Sequence, residues 1–186
     1  FYRTSGGKLW LSGEQGIVIP CRDVDGHIVG AQIRIDTATK SSKYKWLSTS
    51  EAQRVRGGVS SGTPIHVVRS THTNEVWITE GILKADIASI KMQKTFIGIA
   101  GVSSYRLEDI KSTLAKLNPN VVVIAFDADA DFKPEVCEAR YKMAKAISFM
   151  GYTVQIAHWA MEDGKGIDDL LMNNKKFTLQ SFIPGC

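Results

Sequence analysis

What this 186-residue chain lacks narrows its identity before any motif in it is read. It has three cysteines, Cys21, Cys137 and Cys186, odd in number and far apart, with no C-x-x-C pair. That excludes a structural zinc knuckle and a disulfide framework, and the expectation is reduced thiols in a cytoplasmic protein. Its histidines, His27, His66, His72 and His158, show no zinc-ligand spacing, so they are expected to be solvated or packed. No apolar run approaches the ~20 residues a membrane helix needs, so no membrane partner is expected. Internal repeats and low-complexity segments are missing too. The chain opens at Phe1 rather than Met and both ends read as cut, so it is expected to be part of a longer protein.

What is there is an ordinary globular composition, 44% hydrophobic and 23% charged, long enough for one medium domain with a smaller appendage. The net charge of +4 is unevenly spread. Up to Glu75 there are ten Lys/Arg against six Asp/Glu, and from Val76 onward thirteen of each. The excess positive charge therefore lies in the first segment, which suits a polyanionic partner.

Residues 1–74 read as a basic, β-rich subdomain. "GIVIPCRDVDGHIVGAQIRID" places two β-branched runs around Asp25-Gly26, a hairpin-turn dipeptide. "TATKSSKYKWLST" and "RGGVSSGTP" read as loops or short edges. Lys40, Lys43, Lys45, Arg54 and Arg56 cluster there, with Tyr44 and Trp46 interleaved. Those aromatics either stack on unpaired bases or cover a small core.

From residue 75 to 186 strand and helix alternate. Strands are expected at 76–79, 95–100, 121–126 and 152–159. Helices are expected at 80–93, 106–117, from Pro134 to about Met150, and in "GIDDLLMNN". The pattern predicts an α/β fold, a parallel sheet of about four strands with helices on both faces. "VVVIAF" reads as a strand buried on both faces.

In such sheets the working crevice lies beyond the carboxyl ends of the strands. Glu80-Gly81 follows the first core strand, Asp127 and Asp129 the third, and "DGKGIDDLL" the last. If residues 127–129 stay extended, Asp127 and Asp129 face one spot. Two carboxylates so close need a cation between them, and hard oxygen ligands select Mg²⁺, with Mn²⁺ able to replace it. The plainer reading is that aspartates after a strand form turns and cap helices. Asp131, nearer the turn and Pro134, is expected to be solvated. Ser103-Ser104, on a strand-end loop, could offer N–H groups to phosphate or simply make a turn. Tyr105 is expected to be packing.

The order of these motifs resembles the Toprim domain of bacterial-type primases, topoisomerases, OLD-type nucleases and recombination proteins. "VWITEGILKADIASI", "IAGVSSY", "VVVIAFDADADFKPEVCEARYKMAKAI" and "GKGIDDLL" resemble the successive units of primases. "GIVIPCRDVDGHIVGAQIR…KYKWLS" resembles the basic subdomain that precedes Toprim in them. The likeness is to the primase-like domains of plasmids, phages and integrative elements. It implies a Mg²⁺-dependent nucleotidyltransferase acting on single-stranded DNA with nucleoside triphosphates. It further implies a helicase or ATPase partner, in the same or another chain. By that resemblance Glu80 is the general acid/base near the 3′-hydroxyl, or a ligand through water, and Asp127, Asp129 and Asp168 are metal ligands, with Asp169 a weaker candidate. Lys43, Lys45, Arg54, Arg56 and Ser103 are candidates for nucleic-acid or phosphate contact.

The sequence departs from the primase pattern at Lys84, where an aspartate is usual four residues after the glutamate. Asp86 cannot replace it, because six residues turn ~600° around a helix. Lys84 either substitutes for part of a cation's charge or contacts substrate phosphate, or else it snorkels outward into water. Two other functions share these residues: an OLD-like nuclease using the same metal site, and a non-catalytic nucleic-acid-binding module.

Overall fold

The computed structural model describes residues 2–3, 6–7, 9–10, 14–37, 43–47, 62–71 and 74–185. Lys40, Arg54, Arg56, His72, Cys186 and the side chain of Asp131 lie outside the described set. The first elements are two short antiparallel strands, β1 (Tyr2–Arg3) and β2 (Leu9–Trp10). A three-stranded antiparallel sheet follows, made of β3 (Gly16–Arg22), β4 (Ile28–Ile35) and β5 (Tyr44–Trp46). The expected hairpin joins β3 to β4. Gly26 has φ 88° in its turn, and Asp23 Oδ1 accepts the N–H groups of Asp25 and His27, each at 2.9 Å. Aspartate and glycine do here what turns ask of them.

The remaining elements are β6 (His66–Val68), β7 (Glu75–Glu80), α1 (Ile82–Met92), β8 (Thr95–Ile99) and α2 (Leu107–Leu117). Then come β9 (Val121–Ala125), α3 (Pro134–Phe149), β10 (Thr153–His158), α4 (Ile167–Met172) and β11 (Thr178–Ser181). They form one six-stranded sheet in the order β11-β10-β9-β7-β8-β6. The four expected strands are its parallel centre. β6 and β11 add antiparallel edges that the sequence reading lacked.

Alternate residues of β9 face opposite layers, and Val122 to Ala125 are completely buried. Val122, Ile124 and Phe126 pack with α2 and α3 through Ile110, Leu114, Met143 and Ile147. Val123 and Ala125 pack with α1 and α4 through Ala85, Ala88, Ile167 and Leu170, around Trp77 and Phe96. That two-sided burial explains why "VVVIAF" shows no polar alternation.

The order of the strands positions the site. From β7 the chain crosses by α1 to β8 on one side, whereas β9, on the other side of β7, leads through α3 away to β10. The connections diverge between β7 and β9. A doubly wound sheet opens its crevice at such a switch point.

Candidate active site

Glu80 is the last residue of β7, and Asp127 comes two residues after β9 ends. Since Thr79 is in register with Ala125, both acids reach the mouth of the crevice. Gly81 makes the turn into α1 possible. Its φ is 96°, which a side chain rarely adopts, and its N–H donates to Ile99 O at 2.6 Å.

Residues 127–131 are not extended. Ala128–Asp131 form a 3-10 turn, closed by Ala130 N–H to Asp127 O at 2.9 Å. Ala128 N–H also donates to Lys165 O at 2.8 Å, tying this turn to the loop before α4. The short alanines allow the tight coil. Asp127 and Asp129 still converge, because Lys165 Nζ lies 3.5 Å from an oxygen of each.

Three ammonium groups enter this acidic cluster. Lys84 donates to Asp127 Oδ1, so it points inward and the outward-snorkelling reading is excluded. Lys165 bridges Asp127 and Asp129, and Lys133 donates to Asp129 Oδ2 at 2.6 Å. Asp127 is buried and Asp129 nearly so. Desolvation pushes the Asp129 carboxyl up, but hydrogen bonding from Lys133 and the charge of Lys165 outweigh it and hold the carboxyl low. For Lys165, burial works against the charge, and the two aspartates more than restore it. Burial raises the Glu80 carboxyl, Asp127 adds to the rise, and Lys84 and Lys165 offset part of it.

Asp168 lies in the first turn of α4. Burial raises its carboxyl despite Lys84 nearby, and its Oδ1 is buried without a hydrogen-bond partner among the described residues. Asp169 accepts from Gly166 N–H at 3.3 Å and so caps its own helix. Asp86 bonds to His66 at 3.1 Å, away from the cluster.

Of the other candidates, Lys43 is exposed and Lys45 pairs with Glu14 at 2.9 Å. Ser103 is exposed in the loop after β8. Trp46 packs toward Ile19, Cys21 and Ile82, while Tyr44 is the exposed aromatic of the pair. Tyr105 packs against the main core. Lys133 and Lys165 were missed from the sequence. The signal for Lys165 was its place between two glycines in "GKG", inside the motif itself.

The donors suit a hard divalent cation: four carboxylates, no thiolate or imidazole, and one buried oxygen without a partner. Both oxygens of Asp127, however, already face ammonium groups. Among the described residues, the group of three close enough to share an ion as it stands is Asp23, Asp25 and His27. Those residues are engaged in the hairpin turn, and Asp25 also pairs with Lys116 at 2.5 Å.

A family model described as "Domain of unknown function (DUF3854)" matches residues 66–177, more than half of the chain. The chain belongs to the DUF3854 family. No curated protein sequence matches it. The DUF3854 chain is similar in structure to the Aquifex aeolicus primase (zinc binding and RNA polymerase domains), with TM-score 0.57 and 16% identity. That match covers 87% of this chain and 40% of the primase chain. A DnaG primase catalytic domain bound to ssDNA matches with TM-score 0.59 and 16% identity, over 83% of this chain and 46% of that one. The DnaG catalytic core matches with TM-score 0.57 and 16% identity, over 86% and 49%. The DUF3854 chain thus has a primase-like Toprim fold and spans less than half the length of each of these primase chains.

Proposed function

We propose that this protein is the Mg²⁺-dependent nucleotidyltransferase core of a primase-like protein, acting on single-stranded DNA with nucleoside triphosphates. The observation that carries this reading is the convergence of Glu80, Asp127, Asp129 and Asp168 at the switch point of the sheet. A small antiparallel sheet precedes it, and the likeness to primase cores extends over both parts. The DnaG domain solved with ssDNA supports that polymer as the template here.

In this reading Asp127, Asp129 and Asp168 hold Mg²⁺, which would neutralise triphosphate charge. Glu80, its carboxyl raised by burial, is suited to take the proton of an attacking 3′-hydroxyl. Lys165, which already bridges two acids, can turn to a phosphate oxygen. Lys43, Lys45, Arg54 and Arg56 hold the template backbone, Lys45 exchanging Glu14 for phosphate. A helicase or ATPase is the proposed partner.

The test is oligonucleotide synthesis on single-stranded DNA with nucleoside triphosphates and Mg²⁺. Asp127→Ala and Asp129→Ala should abolish product, and Glu80→Gln should lower the rate by ~10²–10⁴-fold. Absence of product in the unaltered protein, or equal product from the aspartate variants, would sink the reading. DNA degradation without triphosphates would replace it with the nuclease. One observation favours a second reading, a non-catalytic binding module: Lys84 sits on Asp127. That reading predicts salt-sensitive binding of single-stranded DNA that ignores both metal and Glu80→Gln.

A further inference from the structure

Lys84 sits where a lysine has reasons not to be. It is the third residue of α1, and the amino end of a helix disfavours a cation. Its long stem could take the charge into water and keep its rotamer freedom. Instead its side chain is 25% exposed and its ammonium meets Asp127, which is 7% exposed. The stem is cradled by two glycines. A Cβ on Gly81 would fall 3.3 Å from its Cγ, and a Cβ on Gly166 would fall 2.9 Å from its Nζ and 3.0 Å from its Cε. Both backbone segments leave room for this side chain, and both flank the acids.

The charges of the crevice show what the lysine does there. Four carboxylates, Glu80, Asp127, Asp129 and Asp168, meet three ammonium groups, Lys84, Lys133 and Lys165. One negative charge remains. Without Lys84 two would remain, the charge that one divalent ion neutralises, so the lysine and the ion meet the same carboxylates.

We propose that the ammonium of Lys84 supplies charge that a divalent cation would otherwise supply, so that it competes with such an ion for the carboxylates of this crevice. This rests on the metal site of the proposed function and deepens it. The substrate phosphates would then meet the resident lysine beside the metal ion.

The test counts bound Mn²⁺ from the paramagnetic resonance of the free ion, alongside melting temperature at each Mn²⁺ concentration. It compares the unaltered protein, Lys84→Met, Lys84→Arg and Asp129→Asn. The unaltered protein and Lys84→Arg should bind Mn²⁺ with similar, weaker affinity. Lys84→Met, which keeps the stem and loses the charge, should bind the ion about tenfold tighter, because a like charge beside the ion is removed. Asp129→Asn should weaken Mn²⁺ binding. Lys84→Gln repeats the measurement should the methionine variant fail to fold.

The same Mn²⁺ count and affinity after loss of the Lys84 charge would overturn the proposal, as would weaker binding. If the unaltered protein binds none and Lys84→Met binds one, the proposal stands while the Mg²⁺ reading of the function fails. If Asp129→Asn leaves the affinity unchanged, the ion is held elsewhere and both fail.

Discussion

Glu80 carries a conflict between folding and chemistry. Burial first, and Asp127 second, raise its carboxyl above the ordinary 4.5, with Lys84 and Lys165 offsetting only part. The folded protein therefore holds this proton more tightly than the unfolded chain does. The stability linked to it is complete below about pH 4.5 and is lost as pH rises through the raised value. Glu80→Gln should accordingly melt at a higher temperature than the unaltered protein near pH 7. The difference should close toward about pH 4, as thermal melts across that range would show. A constant difference at every pH would mean that charge is not the cause. That Asp127 and Asp129 lie together at the crevice was legible in the sequence, because both follow a buried central strand, although the backbone there coils into a 3-10 turn where extension was expected. The direction of Lys84 was not, since a lysine stem serves either course and only Gly81 and Gly166, distant from each other in sequence, decide it. Asp86 could be excluded by helical angle, but its bond to His66 comes from a strand 20 residues earlier.

At the scale of elements, periodicity revealed what is buried on a regular face and missed what is not. The helices and parallel strands fell within two residues of expectation, since their apolar spacing is imposed by the layers they join. β11 escaped because all its residues are exposed, so no alternation marks it. The turn at Ala128–Asp131 escaped because its hydrogen bonds, among them one to Lys165, are tertiary. One contact between elements fixes the height of α1 above the sheet. A Cβ on Gly98 of β8 would fall 3.0 Å from both Ala85 Cβ and Gly81 O, and 3.1 Å from Ile82 Cα. Two of those neighbours are backbone, so the helix itself must shift. Gly98→Ala should cost ~1–3 kcal/mol by overpacking. Urea unfolding should show a lower midpoint with an unchanged slope. A neutral effect would mean that α1 is not seated by this glycine.

Over the whole molecule, the small sheet and the large one share their interior. Ile19 and Cys21 of β3 pack with Ile82 of α1, and Val24 of the hairpin belongs to the core under α2 and α3. His66 links three elements. Its Nδ1 accepts the backbone N–H of Arg22 at 3.0 Å, so Nε2 carries the proton and donates to Asp86 at 3.1 Å. Beside it the Cys21 thiol donates to Ile65 O at 3.4 Å, and burial together with Asp86 pushes that thiol up to about 12, leaving it inert. With cores continuous and polar groups satisfied across the junction, the two sheets should unfold together. Variants retaining only Trp46, in the small sheet, or only Trp77, in the large one, report on each part by fluorescence. Their denaturation midpoints should coincide in the otherwise unaltered protein. His66→Ala leaves the Arg22 N–H and the Asp86 carboxylate without this partner, which should cost ~1–3 kcal/mol. Because His66 spans the junction, both midpoints should fall together. Separate midpoints before His66 is removed would show two independent units. A fall confined to Trp77 would show that His66 braces the large sheet alone.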